Sequence, residues 1–378
     1  MSKPKVQTIF QNPKSKVVGF DIEAFVIHLT FEFWHLDLKR DPQECAGAIG
    51  LLNRMDEMKM IEKIPLQQID LSDDSFSVNY LPDLQRLRSS IEEIGLIQPV
   101  LLRKRSSEYQ IICGFRRISV MKELGKLEIE SRVFEEKEIE EIDLFSISIH
   151  ENLTTRGFNT VETAIALGKL VHPFQMDRTA VVKTFLPLFS LEPNEKILNT
   201  YLSLARMEDE VKSYVLKEEV SRSSIRRFSV FAPENRMALI KMVSFLKLGE
   251  NRLRELLTLL EEISQRDRCE VRDVVHRPEI ESVLSQKELT PSQRAERVKK
   301  VLIDFRYPRM RQKEEQFEQK RRGLDLPPGV SLYHPPYFEG RGLKIEFQFE
   351  TAEEYRSTVS SLSLLADKKE FQEIIQND

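Results

Sequence analysis

A strand that runs into a glycine turn and then a helix is the feature that most limits how this chain can fold. Residues 109–113 are mostly apolar and predict the strand, Gly114 follows, and residues 117–124 predict a helix that ends at Gly125. Glycine allows a backbone to approach a ligand closely. Because such a turn directs amide N–H groups and the positive end of a helix dipole to one place, it predicts an anion site.

Charged side chains beside this turn sharpen the prediction. Arg116 and Arg117 follow the glycine, and Glu151, Asn152 and Arg156 form a second group that starts 34 residues after Arg117. A guanidinium fork binds phosphate oxygens, and a carboxylate beside an amide can hold Mg²⁺ that phosphates also ligate. The two groups together predict a site for a polyphosphate and its metal, although paired arginines are also common at a solvated helix start.

Composition excludes several classes of protein. The 378 residues suffice for two or three domains, and 40% hydrophobic with 31% charged residues suits a soluble, helix-rich protein. A net charge of −4 argues against a uniformly basic nucleic-acid coat but permits a local basic face. Three widely spaced cysteines favour a reducing, cytosolic compartment. The apolar stretch 17–36 is interrupted by charged residues, so we expect neither a membrane span nor a signal peptide.

The middle of the chain predicts two domains. Residues 61–158 predict an α+β domain, with strands at 64–71, 100–103, 109–113 and 129–134 and helices at 81–94 and 117–124. Residues 159–290 predict a series of helices. The helices 181–189 and 194–204, separated by a short turn, predict a helix-turn-helix, and an ordinary helical bundle is the alternative.

The two ends of the chain have different compositions. Residues 1–60 predict an N-terminal extension. Either the extension is native, or translation really starts at Met55, Met58 or Met60. Residues 291–328 predict a basic linker, since 292–323 carry eleven cations against five acids, and phosphate contact is the alternative. Residues 329–378 predict a strand at 343–349 and a helix at 351–365, whose apolar face a second copy of the chain could bury.

Three short motifs resemble those of the ParB family of chromosome- and plasmid-partition proteins, most strongly over 63–165. They are Ser90-Ile91-x-x-x-Gly95-Leu96-Ile97-Gln98-Pro99-Val100, then Gly114-Phe115-Arg116-Arg117, then Glu151-Asn152-Leu153-x-x-Arg156 with Asn159 and Glu162. On this basis the chain is identified as a divergent member. The resemblance implies an α+β protein with a ParB/sulfiredoxin-like N-terminal domain, a central helix-turn-helix-type domain and a small C-terminal strand–helix unit.

The resemblance also implies a function. Family members are dimeric clamps on double-stranded DNA, closed by CTP with Mg²⁺ and reopened by slow hydrolysis. It implies a cytoplasmic, nucleoid-associated homodimer, for which a partition ATPase is a candidate partner and a membrane is not. The implied nucleotide-binding residues are Gly114, Phe115, Arg116, Arg117, Glu151, Asn152 and Arg156. Glu151 and Asn152 are the implied metal ligands, and Glu151 is the one candidate for a catalytic role.

Departures from the family pattern limit what carries over. Phe115 replaces the glutamate of the family's second motif, and residues 73–78 replace a segment with a glutamine linked to hydrolysis, so binding is better supported than turnover. The predicted recognition helix offers Lys196, Asn199 and Thr200 but no arginine. The following segment supplies the better basic candidates, Arg222, Arg226 and Arg227, for which a capped surface helix is the alternative.

The sequence is also compatible with other functions. A helix-turn-helix transcriptional regulator or adaptor could keep this fold without nucleotide-dependent clamping, and in an interaction protein the arginines would be surface charges only. A sulfiredoxin needs its cysteine directly after the turn glycine, where this chain has Phe115. Cys113 precedes the glycine, and we expect it to be a small core residue. A nuclease needs an acidic metal cluster, whereas the motifs supply only Glu151. The sequence leaves open the DNA site and whether the protein serves a chromosome, a plasmid or a phage.

Overall fold

The computed structural model describes residues 60–338 and 342–376, so the predictions for residues 1–59 lie outside the described part. The chain divides into two compact units, the first comprising Met1–Phe158 with His172–Met176 and the second Asn159–Val171 with Asp177–Asp378. The first unit combines a sheet with helices and the second is almost entirely helical, which confirms the α+β class.

A five-stranded mixed sheet forms the centre of the first unit. Its strands are β1 (Glu62–Pro65), β2 (Ile69–Asp70), β3 (Val100–Arg105), β4 (Glu108–Cys113) and β5 (Glu128–Phe134). They lie in the order β1-β5-β3-β4-β2, in which β3 pairs in parallel with β5 and β2 with β4, and the other pairs are antiparallel. The helices are α1 (Gln85–Ile94), α2 (Phe115–Glu123) and α3 (Glu141–Thr155).

The sheet and α2 bury an apolar cluster. Its members are Ile64, Ile69, Val100, Leu102, Ile111, Ile118, Ile129 and Val133. The strand expected over 64–71 is interrupted by a 3₁₀ turn at Leu66–Gln68. The interruption follows Pro65, which has no N–H to donate to a continuing ladder. The acidic segment 135–140 precedes α3, which begins at Glu141.

The second unit is a helical assembly. It contains α4 (Thr160–Val171), α5, α6 (Glu195–Ala205), α7 (Asp209–Lys217), α8 (Arg222–Val230), α9 (Pro233–Leu246), α10 (Glu250–Asp267), α11 (Val271–Val275) and α12 (Pro278–Ser285). We treat Arg178–Ala180, Val181–Phe185 and Leu186–Leu188 as one helix, α5, of which the middle segment is π-helical. The side chain of Asn194 caps α6 by accepting from the Lys196 N–H at 2.8 Å. The helices and turn lie where the sequence predicts them, and their DNA-binding role stays a prediction.

The segment predicted as a basic linker is helical, and this expectation is corrected. It forms α13 (Pro291–Arg306) and α14 (Pro308–Gly323). Ala295, Val298 and Leu302 make a buried stripe through which α13 packs on α9, α10 and α12. At least four of its eleven cations lie in ion pairs: Lys299–Glu255, Arg306–Glu262, Arg311–Glu315 and Arg321–Glu318.

The C-terminal residues form a hairpin and two helices. These are β6 (Ser331–Tyr333), β7 (Lys344–Glu346), α15 (Ala352–Leu365) and α16 (Lys369–Gln376). Thr351 and Glu354 form the capping box of α15. The strand predicted at 343–349 is shorter, and all of β7 is exposed rather than half-buried. In the described part of the chain, no helix has the length and apolar character needed to cross a membrane.

Candidate functional site

Gly114 joins β4 to α2 in a conformation that only glycine adopts easily. Its φ is +102°, in the left-handed region, and a Cβ at this position would lie 2.5 Å from the Val100 Cγ1. Val100 is completely buried in the sheet, so it has little room to move. The turn therefore requires glycine, and it leaves the first N–H groups of α2 without partners inside the helix.

Arg117 brings the three sequence motifs together. Its Nη1 donates to the carbonyl oxygens of Gln98 and Pro99, both at 3.2 Å, and its Nη2 pairs with the Glu151 carboxylate of α3. Arg117 is only 13% exposed and Glu151 23%. Arg117 of the second motif is thus held by backbone carbonyls of the first motif and by the carboxylate of the third.

A second network links Arg116 and Arg156 through a residue that the sequence analysis missed. The Asn79 Oδ1 accepts from the Arg116 Nε at 2.8 Å and from the Arg156 Nη2 at 3.4 Å. The Arg156 Nε also donates to the Asn152 Oδ1 at 2.8 Å, and the Asn152 Nδ2 donates to the Ser148 carbonyl at 2.8 Å. Two amide side chains therefore orient two guanidinium groups.

Residues 73–78, which depart from the family pattern, position Asn79 beside the two arginines. The Asp73 carboxylate accepts from the Gln110 side chain at 2.6 Å and the Arg105 side chain at 2.9 Å, which anchors the segment to the sheet. Phe76 is buried, and its backbone carbonyl accepts from the Ser148 hydroxyl at 3.4 Å. These contacts fix the chain immediately before Asn79.

The two metal ligands expected from sequence, Glu151 and Asn152, already have arginine partners. Glu151 pairs with Arg117, and the Asn152 oxygen accepts from Arg156. Among the described residues, no group of three or more His, Cys, Asp or Glu side chains is placed to hold a metal ion. Mg²⁺ commonly takes one or two protein carboxylates and completes its shell with water and substrate phosphates. Glu151 and Asn152 fit that limited protein share, with the metal competing against two guanidinium groups.

Phe115 and Cys113, which flank the glycine, have packing roles. Phe115 packs against the apolar cluster of the first unit, so any contact that it makes with an anion uses its backbone N–H. Cys113 is completely buried, and burial raises the pKa of its thiol well above the ordinary range. A thiol in this state supplies no thiolate, which agrees with its prediction as a core residue.

The residues predicted to contact DNA separate into exposed and engaged groups. Lys196 and Asn199 are exposed on α6, and Arg222 and Arg226 are exposed on α8. Thr200 is buried, with its hydroxyl donating to the Lys196 carbonyl at 2.9 Å. That position is corrected from a DNA contact to a residue of the helical core.

Arg227 is hydrogen-bonded within the helical unit, and its predicted contact with DNA stays a prediction. Its Nε and Nη2 donate to the Glu261 carboxylate at 3.0 and 2.7 Å, and its Nη1 donates to the Arg254 carbonyl at 2.9 Å. This arginine therefore fastens α8 to α10, and its fork is occupied by protein acceptors.

Comparison with known proteins identifies the class of the first unit. Residues 53–153 match the family described as the ParB N-terminal domain. Together with the curated relatives below, the match supports a ParB-family protein.

The relatives are partition and nucleoid occlusion proteins. The chain is 28% identical over 164 residues to the chromosome-partitioning protein ParB of Caulobacter vibrioides, covering 43% of this chain and 50% of the relative. It is 28% identical over 144 residues to the nucleoid occlusion protein of Lysinibacillus sphaericus, covering 38% and 45%. The chain thus spans about half the length of these relatives.

The chain is also similar to a solved structure. It is the C-terminally truncated chromosome-partitioning protein ParB of Caulobacter crescentus, complexed with CTP-gamma-S. It matches with 24% identity and a TM-score of 0.23, covering 48% of this chain and 98% of that chain.

Proposed function

We propose that the first unit binds a cytidine triphosphate with Mg²⁺, and that the protein is a ParB-like DNA-binding protein of chromosome or plasmid partition. The observation that carries the proposal is the position of Arg117, which Gln98, Pro99 and Glu151 hold beside the Gly114 turn. The ParB N-terminal domain and the partition relatives support it.

Each residue of the site has a proposed part in binding. The amides after Gly114 and the Arg116, Arg117 and Arg156 side chains hold phosphate oxygens, since aligned N–H donors and guanidinium forks suit anions. Glu151 and Asn152 hold Mg²⁺, which neutralises phosphate charge when bound. Turnover is not part of the proposal, because residues 73–78 lack the family glutamine, and Glu151 remains the candidate if slow hydrolysis occurs.

The second unit would contact double-stranded DNA in a homodimer. Lys196 and Asn199 lie on the exposed face of α6 for base edges, and Arg222 and Arg226 are exposed on α8 for phosphates. The nucleotide would favour the closed dimer by binding it more tightly than the open one. This places the protein on the nucleoid in the cytoplasm, with a partition ATPase as a candidate partner.

Isothermal titration of the full chain with CTP, ATP and GTP in Mg²⁺ tests the nucleotide site. We expect CTP-selective binding, and Arg116→Ala and Arg117→Ala should each weaken it by about 1.5–3 kcal/mol, the range for hydrogen bonds to charged groups. Arg86→Ala removes an exposed arginine from α1 and is the matched control. Unchanged affinity in both site variants, each with a normal melting curve, would refute the assignment.

Two observations favour a second candidate, a transcriptional regulator or adaptor without clamping. Glu151 is committed to Arg117 rather than open to a metal, and the hydrolysis-linked segment is replaced. A regulator would bind DNA equally with and without CTP, whereas a clamp would accumulate on closed DNA circles only with CTP. Retention on circular and linear duplexes, with and without the nucleotide, separates the two.

A further inference from the structure

An arginine from the preceding helix reaches the recognition helix, which has none of its own. Arg178 begins α5, where the Asp177 side chain caps the helix by accepting from the Ala180 N–H at 3.0 Å. The Arg178 Nε donates to the Glu195 Oε1 at 2.9 Å, and its Nη2 donates to the same carboxylate and to the Asn199 Oδ1. The three side chains form one hydrogen-bonded group across the two helices.

The group lies at the end of α6 that matters for recognition. Glu195 is the first residue of α6 and Asn199 lies one turn further along. In a helix-turn-helix, residues near the N-terminus of the second helix contact base edges in the major groove. Arg178 is 40% exposed and Glu195 51%, so the group is accessible to a ligand.

The group leaves one nitrogen of the guanidinium without an acceptor. Glu195 accepts from Nε and Nη2, Asn199 accepts from the second N–H of Nη2, and among the described residues Nη1 has no hydrogen-bond partner. A guanidinium held by a carboxylate and an amide has lost rotamer freedom, so less conformational entropy is lost when its Nη1 binds a ligand. Guanine presents two acceptors, O6 and N7, in the major groove, to which Nη1 can donate.

We propose that Arg178 recognises a guanine in the DNA site and that Glu195 is its positioning residue. This inference rests on the proposed DNA binding. Asn199 lies beside the pair and suits an adjacent adenine, because an amide can bond adenine N6 and N7 together. The specificity of this protein would then come from two helices rather than from α6 alone.

Selection from a randomised double-stranded DNA library, with the full chain, CTP and Mg²⁺, tests the inference. The wild type should enrich a motif with a preferred guanine. Arg178→Ala should lose discrimination at that base by on the order of 10-fold and keep the other positions. Arg178→Lys should not restore it, because a single ammonium nitrogen cannot be held by Glu195 and Asn199 and donate to the base in the same geometry, and Glu195→Gln should weaken the same preference. Arg86→Ala removes the same charge from α1 and should leave the motif intact.

The outcomes separate the inference from the function on which it rests. If the wild type enriches no sequence, the DNA-binding proposal itself fails. If the wild type enriches a motif that Arg178→Ala leaves unchanged, or binds every sequence equally more weakly, Arg178 is a surface ion pair or a phosphate contact and the inference is overturned. Melting curves check folding, and Glu195→Gln tests the same base without removing the arginine.

Discussion

Asn79 shows how an uncharged residue can fix the positions of two cations. Its single side-chain oxygen accepts from Arg116 and Arg156, which lie 37 and 77 residues away. The sequence analysis found Gly114, Arg117 and Glu151 because each belongs to a motif of neighbouring residues. It missed Asn79 because a lone amide whose partners are distant leaves no local pattern.

We expect the substitution Asn79→Asp to separate folding from binding. The carboxylate would keep both hydrogen bonds and add charge, so the melting temperature should hold or rise. It would also repel phosphates, so triphosphate affinity should fall by on the order of 10-fold, and monophosphate affinity by less. Asn79→Ala should lower both stability and affinity. Wild-type CTP affinity in Asn79→Asp would show that the residue has no effect on the phosphate site.

Two other residues show that residue type alone does not predict burial or pairing. Thr200 lies among the buried positions of α6, and Arg227 is matched to Glu261 on a helix 34 residues away. A hydroxyl or a guanidinium looks the same in sequence whether it faces solvent or another helix. Only packing distinguishes the two.

At the scale of elements, the β4–Gly114–α2 connection is the most demanding local structure. Gly114→Ala should lower the free energy of unfolding by on the order of 1–3 kcal/mol for the backbone strain, and further because of the contact with Val100. Gly125→Ala is the matched control, since its φ is also positive at +66° but a Cβ there meets nothing within 4 Å. Urea unfolding measures both.

A double-mutant cycle tests whether contact with Val100 explains the larger stability loss expected for Gly114→Ala than for Gly125→Ala. If the side-chain clash matters, adding Val100→Ala to Gly114→Ala should cost less than the sum of the two single changes. Additive effects would exclude only the contact with the Val100 Cγ1, because the Val100 Cβ, 2.9 Å from the added methyl group, remains in Val100→Ala. Equal losses in Gly114→Ala and Gly125→Ala would leave backbone strain as the whole cause.

The sequence predicted elements well where apolar spacing was clear and poorly where charge obscured it. Strands β3, β4 and β5 and helices α1 and α6 lie within a few residues of their expected positions. Residues 292–323 looked like a linker because their eleven cations dominate the composition. The stripe of Ala295, Val298 and Leu302 nevertheless supplies enough apolar surface to hold α13 in the core.

At the scale of the whole molecule, the C-terminal hairpin and α15 leave apolar side chains uncovered. Ile345, Phe349, Tyr355 and Val359 are each at least 40% exposed, and the Phe349 and Tyr355 rings lie 5.0 Å apart. Apolar surface of this kind is stabilised when it is removed from water. The proposal that the chain forms a homodimer therefore has a specific candidate surface.

Phe349→Asp should convert a dimer of the full chain into a monomer, because burying an unpaired carboxylate is costly. Light scattering coupled to size-exclusion chromatography would show the change in mass. Phe245→Asp is the control, since Phe245 is 55% exposed on α9 and lies outside the C-terminal surface. A monomeric wild type, or dimers in both variants, would exclude this surface as the main dimer contact.

The order of the strands affects how readily the first unit aggregates through the edges of its sheet. β1 and β2 are the outermost strands of the sheet, yet only Leu66–Gln68 separates them along the chain. Five strands laid flat would place the two outer strands about 19 Å apart, whereas three 3₁₀ residues advance about 6 Å. The sheet must therefore curl enough to bring the end of β1 close to the start of β2. The two outer strands are also short, with four and two residues, and a short edge strand offers few open backbone groups to a strand from another molecule, which limits aggregation through β-strand addition.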